Sequence, residues 1–225
     1  SGRYRYGGVR DFLLGVGFGA GNGELLRGGS KVVKNAAGFE IPKLLTGSLG
    51  SLGILVELTF KVFPLPQAGA TVCVDCRSLA EALDLAQRAP GLRIDLAAID
   101  LLPGVEGCRL LLRLLGLKEV LAARLERLKA GLGSCRVLDA EEENDAWHAA
   151  GEFTWVPPGW SLVKVPLTPG RIPAFDATLQ TLPALRRYIC GGQMAWVALP
   201  GNPRLLEPVL TAQGLNGLVV FGPPG

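Results

Sequence analysis

The stretch Gly47-Ser48-Leu49-Gly50-Ser51-Leu52-Gly53, followed at once by Ile54-Leu-Val-Glu-Leu-Thr-Phe-Lys-Val-Phe63, constrains this chain more than any other. Three glycines spaced by three permit positive φ and let a ligand approach the backbone with no Cβ in the way. The run behind them has the period-two pattern of a strand. A glycine turn feeding a strand holds a flat or phosphorylated cofactor by main-chain N–H groups, or it simply connects two strands. The spacing alone leaves both readings open.

The division of the chain follows from proline and glycine. Pro64-Leu65-Pro66 ends the strand and starts a new segment. Residues 1–66 hold 14 of the 31 glycines, so this part rests on tight turns. Phe12–Gly19 and Gly23–Gly29 read as short strands joined through Asn22-Gly23, a strong hairpin signal because both central positions favour positive φ. After Pro66 strands and helices alternate. Strands are expected at 70–76, 93–101, 108–114, 136–138, 161–167, 193–199 and 217–221. Helices are expected at 79–88 (capped by Ser78), 118–132, 141–152, 172–180 and 204–213. The fold class expected is α+β: a glycine-rich antiparallel β unit over residues 1–66, then, over 67–225, an antiparallel sheet with helices on one face.

Composition narrows the function. The chain has 225 residues, 48% apolar and 19% charged, which suits a folded globular protein. A net charge of +3 with no basic run argues against nucleic acid as a partner. No apolar stretch reaches the roughly 18 residues of a membrane helix. Cys73-Val-Asp-Cys76 lies in an expected strand, where residues three apart face opposite ways and cannot chelate one ion together. The five cysteines are therefore expected to be buried or half-buried free thiols with no metal site, which suits a reducing cytosol.

The ordered motifs carry a resemblance. Ser1-Gly2, Tyr6-Gly7-Gly8-Val9-Arg10-Asp11-Phe12-Leu13-Leu14-Gly15, Gly28-Gly29, Lys34-Asn35-Ala36-Ala37-Gly38 and Gly47–Gly53 follow one another as in the later half of the FAD-binding domain of the FAD-linked oxidase family. That family includes vanillyl-alcohol oxidase and the D-lactate dehydrogenases. Its Lys-Asn-x-Ala-Gly-Tyr-Asp signature resembles Lys34, Asn35, Ala37, Gly38, Phe39 and Glu40, with conservative departures at the last two, and a family Thr is Ser51 here. A weaker likeness runs from Trp147 to Gly222.

The resemblance implies a domain assignment: residues 1–66 as the C-terminal part of the FAD-binding domain, and 67–225 as a substrate or cap-type domain. It implies FAD as cofactor, with main-chain contacts at Gly50, Ser51, Gly53 and Ile54. Ser1, Gly2 and Gly7 would lie near the pyrophosphate and ribityl region. Lys34 and Asn35 would reach a phosphate or cap a loop. It implies a subunit of a glycolate-oxidase-type complex that oxidises a 2-hydroxy acid, glycolate or D-lactate, in the cytoplasm, meeting the inner membrane only through partners. Those partners would be a sister flavin subunit and an iron–sulfur subunit. The family's glycine-rich pyrophosphate loop has no counterpart in this sequence, so the expectation is a truncated member that does not hold FAD tightly, with an assembly subunit without FAD as the alternative. Val9–Leu14 and Leu49–Leu55 are then expected at a protein–protein contact.

No catalytic residue is assigned. His148, the one histidine, is a tempting base on an expected helix, where a structural or solvent-exposed role is the ordinary one. Arg186 and Arg187 either face a carboxylate or flank a strand edge. Trp155-Val-Pro-Pro-Gly-Trp160 either covers a pocket or packs on the sheet.

Overall fold

A computed structural model describes residues 2–31 and 39–223. It divides into two compact units, one of Tyr6–Leu65 and one formed by Pro66 onward together with the residues before Tyr6.

A single-turn helix α1 (Arg3–Tyr6) comes first. The glycine-rich unit then runs through α2 (Val9–Phe12), β1 (Leu13–Gly19), β2 (Leu25–Gly29), α3 (Ile41–Leu45) and β3 (Ile54–Phe60). Its strands form an antiparallel sheet in the order β2-β1-β3. The β1–β2 connection is not the two-residue turn that Asn22-Gly23 suggested. Ala20 and Glu24 close a three-residue loop (Ala20 N–H to Glu24 O, 2.9 Å), Gly23 N–H donates to Ala20 O, and only Gly23 takes positive φ. This is the type I turn with a left-handed glycine behind it, the alternative hairpin closure. The unit's core is small: Leu13, Val16 and Leu45, with Phe18 and Ile41 against them. Ile54, Leu55, Val56, Leu58 and Phe60 of β3 are all exposed, so its period-two pattern does not mark a buried face within this unit.

The larger unit contains β4 (Ala68–Cys76), α4 (Leu79–Arg88), β5 (Leu96–Pro103), β6 (Cys108–Gly116), α5 (Lys118–Leu132), β7 (Arg136–Val137) and α6 (Ala140–Glu152). It continues through β8 (Trp160–Pro166), α7 (Ile172–Leu179), β9 (Leu185–Ile189), β10 (Met194–Pro200), α8 (Glu207–Ala212) and β11 (Leu218–Phe221). All eight strands make one antiparallel sheet, in the order β11-β8-β10-β9-β5-β6-β4-β7. The helix starts follow their caps: Ser78 accepts from Glu81 N–H (3.2 Å), and Asp139 with Glu142 makes a reciprocal capping box. Helices α4, α5, α7 and α8 bury their apolar faces with Val72, Ile99, Leu110, Leu112, Val163 and Val197 in one core.

Helix α6 is the exception, and it shapes the site. Its Trp147 packs with Cys73, Ala98, Leu111 and Leu138, the residues that alternate with the main core and so occupy the opposite face of the sheet. Trp147 Nε1 donates to Thr71 Oγ1 (2.8 Å), and Thr71 Oγ1 donates to Glu143 Oε1 (2.9 Å). Arg113 lies over the indole at 4.9 Å and also donates to Glu143 (3.1 Å). Strand β9 was not expected from the sequence, yet it joins the two halves of the sheet. Its register with β5 is the single pair Leu101 and Tyr188, and the Asp100–Arg187 ion pair lies beside it.

Candidate functional site

The glycine turn is built by backbone constraints that can be read residue by residue. Helix α3 ends with Thr46 N–H donating to Pro42 O (3.2 Å), and Gly47 follows at φ +86°. Ser51 N–H then returns to Ser48 O (3.0 Å) across Leu49 (φ +51°) and Gly50 (φ +81°). Two central residues with positive φ make this a type I′ turn. Leu49 is an unusual occupant of such a position, and it stands 85% exposed at the tip. Gly53 (φ +147°) leads into β3.

The four candidates of this turn differ in what holds them. A Cβ on Gly53 would lie 2.7 Å from Gly19 O, so the sheet itself demands glycine there. Ser51 Oγ donates to Ser48 O (2.6 Å), so both its N–H and its hydroxyl serve the turn. The side chain of Ile54 is exposed, and its backbone is in register with Gly19. Gly50 alone has open space around its Cα, with nothing within 4 Å of an added Cβ. Gly7 (φ +84°) is fixed by packing: a Cβ would meet the Asp11 carboxylate at 2.5 Å, where Asp11 accepts from Gly8 N–H (2.7 Å) at the start of α2. Gly2 is exposed and belongs to the other unit. Ser1, Lys34 and Asn35 lie outside the described residues.

The second candidate is a cavity of ≈ 540 Å³ in the larger unit, lined by α6 and the strands on its side of the sheet. This volume is in the range of small-molecule sites. Leu102, Leu111, Leu138 and Leu185 give it an apolar lining, α6 contributes Glu142, Asp145, Ala146 and Ala149, and Trp155 closes one side. Trp155 Nε1 is buried with no hydrogen-bond acceptor. Four arginines line the same space. Arg187 is committed to Asp100 in a buried pair (Nε 3.2 Å, Nη2 3.0 Å), and Arg186 to Asp176 in a part-buried one (2.7 and 3.0 Å). Arg109 with Asp75 (3.2 Å) and Arg136 with Glu142 (2.7 and 2.8 Å) are solvent-exposed pairs. Exposed pairs are worth little and exchange partners at small cost. The arginines suited to meet an acidic ligand are thus Arg109 and Arg136, and not the Arg186-Arg187 doublet that the sequence brought forward.

Burial pushes the Asp176 carboxyl up, but hydrogen bonds from Arg186 and Tyr188 outweigh it and hold the group below the usual carboxylate range. His148 is exposed on α6 and does not line the cavity. Cys73 and Cys76 face opposite sides of the sheet, as their spacing implied, and none of the five cysteines is in a disulfide.

No family model matches the chain. It is 33% identical over 200 residues to glycolate oxidase subunit GlcE of Escherichia coli (strain K12), a match spanning 85% of this chain and 49% of that protein. It is 32% identical over 99 residues to glycolate oxidase subunit GlcD of Bacillus subtilis (strain 168), covering 44% of this chain and 20% of that one. The proteins it resembles are members of the FAD-linked oxidase family. A further relative is the mitochondrial D-lactate dehydrogenase [cytochrome] of Arabidopsis thaliana, 28% identical over 102 residues, 45% of this chain and 18% of that protein. The fold agrees: alkyldihydroxyacetonephosphate synthase superposes with a TM-score of 0.64 over 95% of this chain and 50% of that one, at 14% identity. The chain spans about half the length of the GlcE relative and a smaller share of the others.

Trp155 lines the cavity, in line with the pocket-covering alternative for its loop, whereas Arg109 and Arg136 were not marked as a site by the sequence. They come together because α6 crosses the sheet face that the other helices leave open, and no local pattern encodes that crossing.

Proposed function

We propose that this chain is an FAD-linked oxidoreductase subunit of glycolate-oxidase type, acting on a 2-hydroxy acid such as glycolate or D-lactate. The observation that carries the FAD reading is the Ser48–Ser51 turn: an exposed type I′ backbone with Gly50 open to close approach. Such a turn offers consecutive main-chain groups to an anionic or flat ligand. FAD, when bound, would supply acceptance of hydrogen from the carbinol carbon. The chain's own contribution is placement: Gly50 admits the cofactor to the backbone, while Gly53 and Gly7 hold the scaffold. The cavity under α6 is the proposed place for the acid, with Arg109 or Arg136 exchanging its exposed carboxylate partner for the substrate's.

Partners are part of the proposal. A sister flavin subunit and an iron–sulfur subunit would complete a glycolate-oxidase-like complex, with Leu49, Leu52, Ile54 and Val56 at the contact. Of the earlier contact segments, Val9–Leu14 needs amendment, because Leu13 is buried in its own unit's core. Among the described residues no helix is long and apolar enough to cross a membrane.

One observation favours a second reading. Ser51 satisfies itself within the turn and Gly53 is demanded by Gly19, so most of the motif would persist for folding reasons in an assembly subunit without FAD. Co-purification with the two partner subunits, followed by a flavin absorbance spectrum and dye reduction with glycolate and D-lactate, separates the two. Our reading expects more bound flavin, and acid-dependent dye reduction, when this chain is present than when it is omitted. Equal flavin and equal turnover without it would support the assembly reading.

A further inference from the structure

Cys76 ends β4 and Cys108 opens β6, and the two are register partners in the antiparallel ladder. Residues directly opposite one another in such a ladder point to the same face, with Cα atoms about 4.5–5.5 Å apart. That separation is inside the roughly 4.4–6.8 Å window of a disulfide. Both thiols belong to the main core, at 6% and 4% exposure. They are not sealed in, because both line a cavity of ≈ 300 Å³ at the strand ends, together with Asp75, Leu102, Glu106 and Arg109. Gly107 (φ +80°) fixes the pairing: an added Cβ would sit 2.3 Å from Cys76 O, so β6 begins tight against the end of β4. The other cysteines are placed elsewhere. Cys73 faces the opposite side of the sheet, Cys135 lies between α5 and β7, and Cys190 packs with Ile189 and Met194.

We propose that Cys76 and Cys108 form a reversible redox pair, closing to a cross-strand disulfide when the protein meets hydrogen peroxide. One thiolate attacks the peroxide, the O–O bond breaks, and a sulfenic acid and one water result. The second thiol attacks the sulfenic sulfur, the S–S bond forms, and the hydroxyl leaves as a second water. In total two thiols lose two electrons and two protons, the peroxide is reduced to two waters, and an external thiol reverses the change. The bond would tie the tip of the β5–β6 hairpin to the end of β4.

Burial sets the rate. It pushes the Cys76 thiol up to about 11 and the Cys108 thiol up to about 12, so the thiolate is scarce near neutrality and Cys76 is the first to react. The rate is expected to rise about tenfold per pH unit between 7 and 9.

The test treats the whole chain with hydrogen peroxide across that pH range, alkylates remaining thiols in denaturant, and maps the peptides. The expected result is a Cys76–Cys108 linked peptide, an intact mass lower by two hydrogens, reversal by dithiothreitol, and the stated pH slope. In parallel, phenylarsine oxide, which bridges two neighbouring thiols with release of water, is titrated into the untreated protein. One equivalent should remove two alkylatable thiols, and peptide mapping should place them at 76 and 108. Five alkylated cysteines after both treatments would overturn the proposal. So would a link through Cys73, Cys135 or Cys190, or irreversible oxidation of Cys76 alone. The wild-type measurements stand whether or not Cys76→Ser and Cys108→Ser fold; where they fold, each should abolish both products.

Discussion

Replacing Arg187 with Met should unfold the larger unit more readily than any surface change. Arg187 and Asp100 sit on β9 and β5, where the two halves of the sheet meet through a single register pair. The Asp100 side chain is 0% exposed and that of Arg187 5%, and Arg187 donates twice to Asp100 Oδ2 (3.2 and 3.0 Å). Removing the guanidinium takes from the buried Asp100 carboxylate the cation that donates to it twice, and breaking a buried pair in this way costs about 3–5 kcal/mol. The weak contact of Arg187 with the Trp147 ring (5.9 Å) adds little at that distance. With a urea slope of about 3 kcal/mol/M for a unit this size, the midpoint should fall by about 1 M or more. All four tryptophans lie in the larger unit, so tryptophan fluorescence reads that transition. The double variant Asp100→Leu/Arg187→Met removes both charges and should recover much of the loss, because an apolar pair of similar size is often as stable as a buried ion pair. A midpoint shift below about 0.3 M for Arg187→Met, or a double variant as unstable as the two single losses added, would refute this account of the joint.

Other outcomes follow from the same geometry. Gly53→Ala should destabilise the glycine-rich unit, because its Cβ meets Gly19 O at 2.7 Å, and hydrogen exchange of β1 and β3 amides should speed up; Gly50→Ala, in open space, should cost only the left-handed backbone penalty of about 1–2 kcal/mol. Asp176→Asn should weaken the fold at neutral pH. The native carboxyl is held below its ordinary range, so its contribution is complete above about pH 4 and is lost as pH falls through the lowered value; the gap between wild type and variant in urea midpoints should close on acidification. Trp155→Phe deletes a donor that has no acceptor in the protein, so thermal stability should hold or rise slightly, whereas loss of affinity for a 2-hydroxy acid would reveal that the N–H serves the ligand.

Where local signals were strong, the sequence could be read directly. Lys118–Leu132 forms as its leucine spacing indicates, Leu79–Arg88 starts at Ser78, and the glycines at 47, 50 and 53 all take positive φ. Strand β9 was missed because Leu-Arg-Arg-Tyr-Ile carries two adjacent arginines that read as surface. Their burial is decided by Asp176 and by Asp100, the latter 87 residues away. The strand expected from Arg93 begins at Leu96, since Arg93 takes φ +53° to close a short helix at Ala89–Leu92. The cavity was illegible for the same kind of reason: its walls are Arg109, Arg136 and Trp155, distant in sequence and gathered only by the placement of α6. In the glycine turn the positions were legible but their roles were not, because Gly53 and Ser51 look alike on paper whether they serve FAD or the fold.

The measurement closest to the central claim is an FAD titration by calorimetry of this protein and of Gly50→Ala, each checked for an unchanged β signal by circular dichroism. A methyl at Gly50 touches nothing in the protein but stands where the cofactor would meet the backbone. The account predicts that Gly50→Ala weakens FAD binding by about tenfold or more, the loss of roughly one well-placed main-chain contact, while Leu49→Ala changes it less. Equal FAD affinity for wild type and Gly50→Ala, or no FAD binding by either, would contradict it.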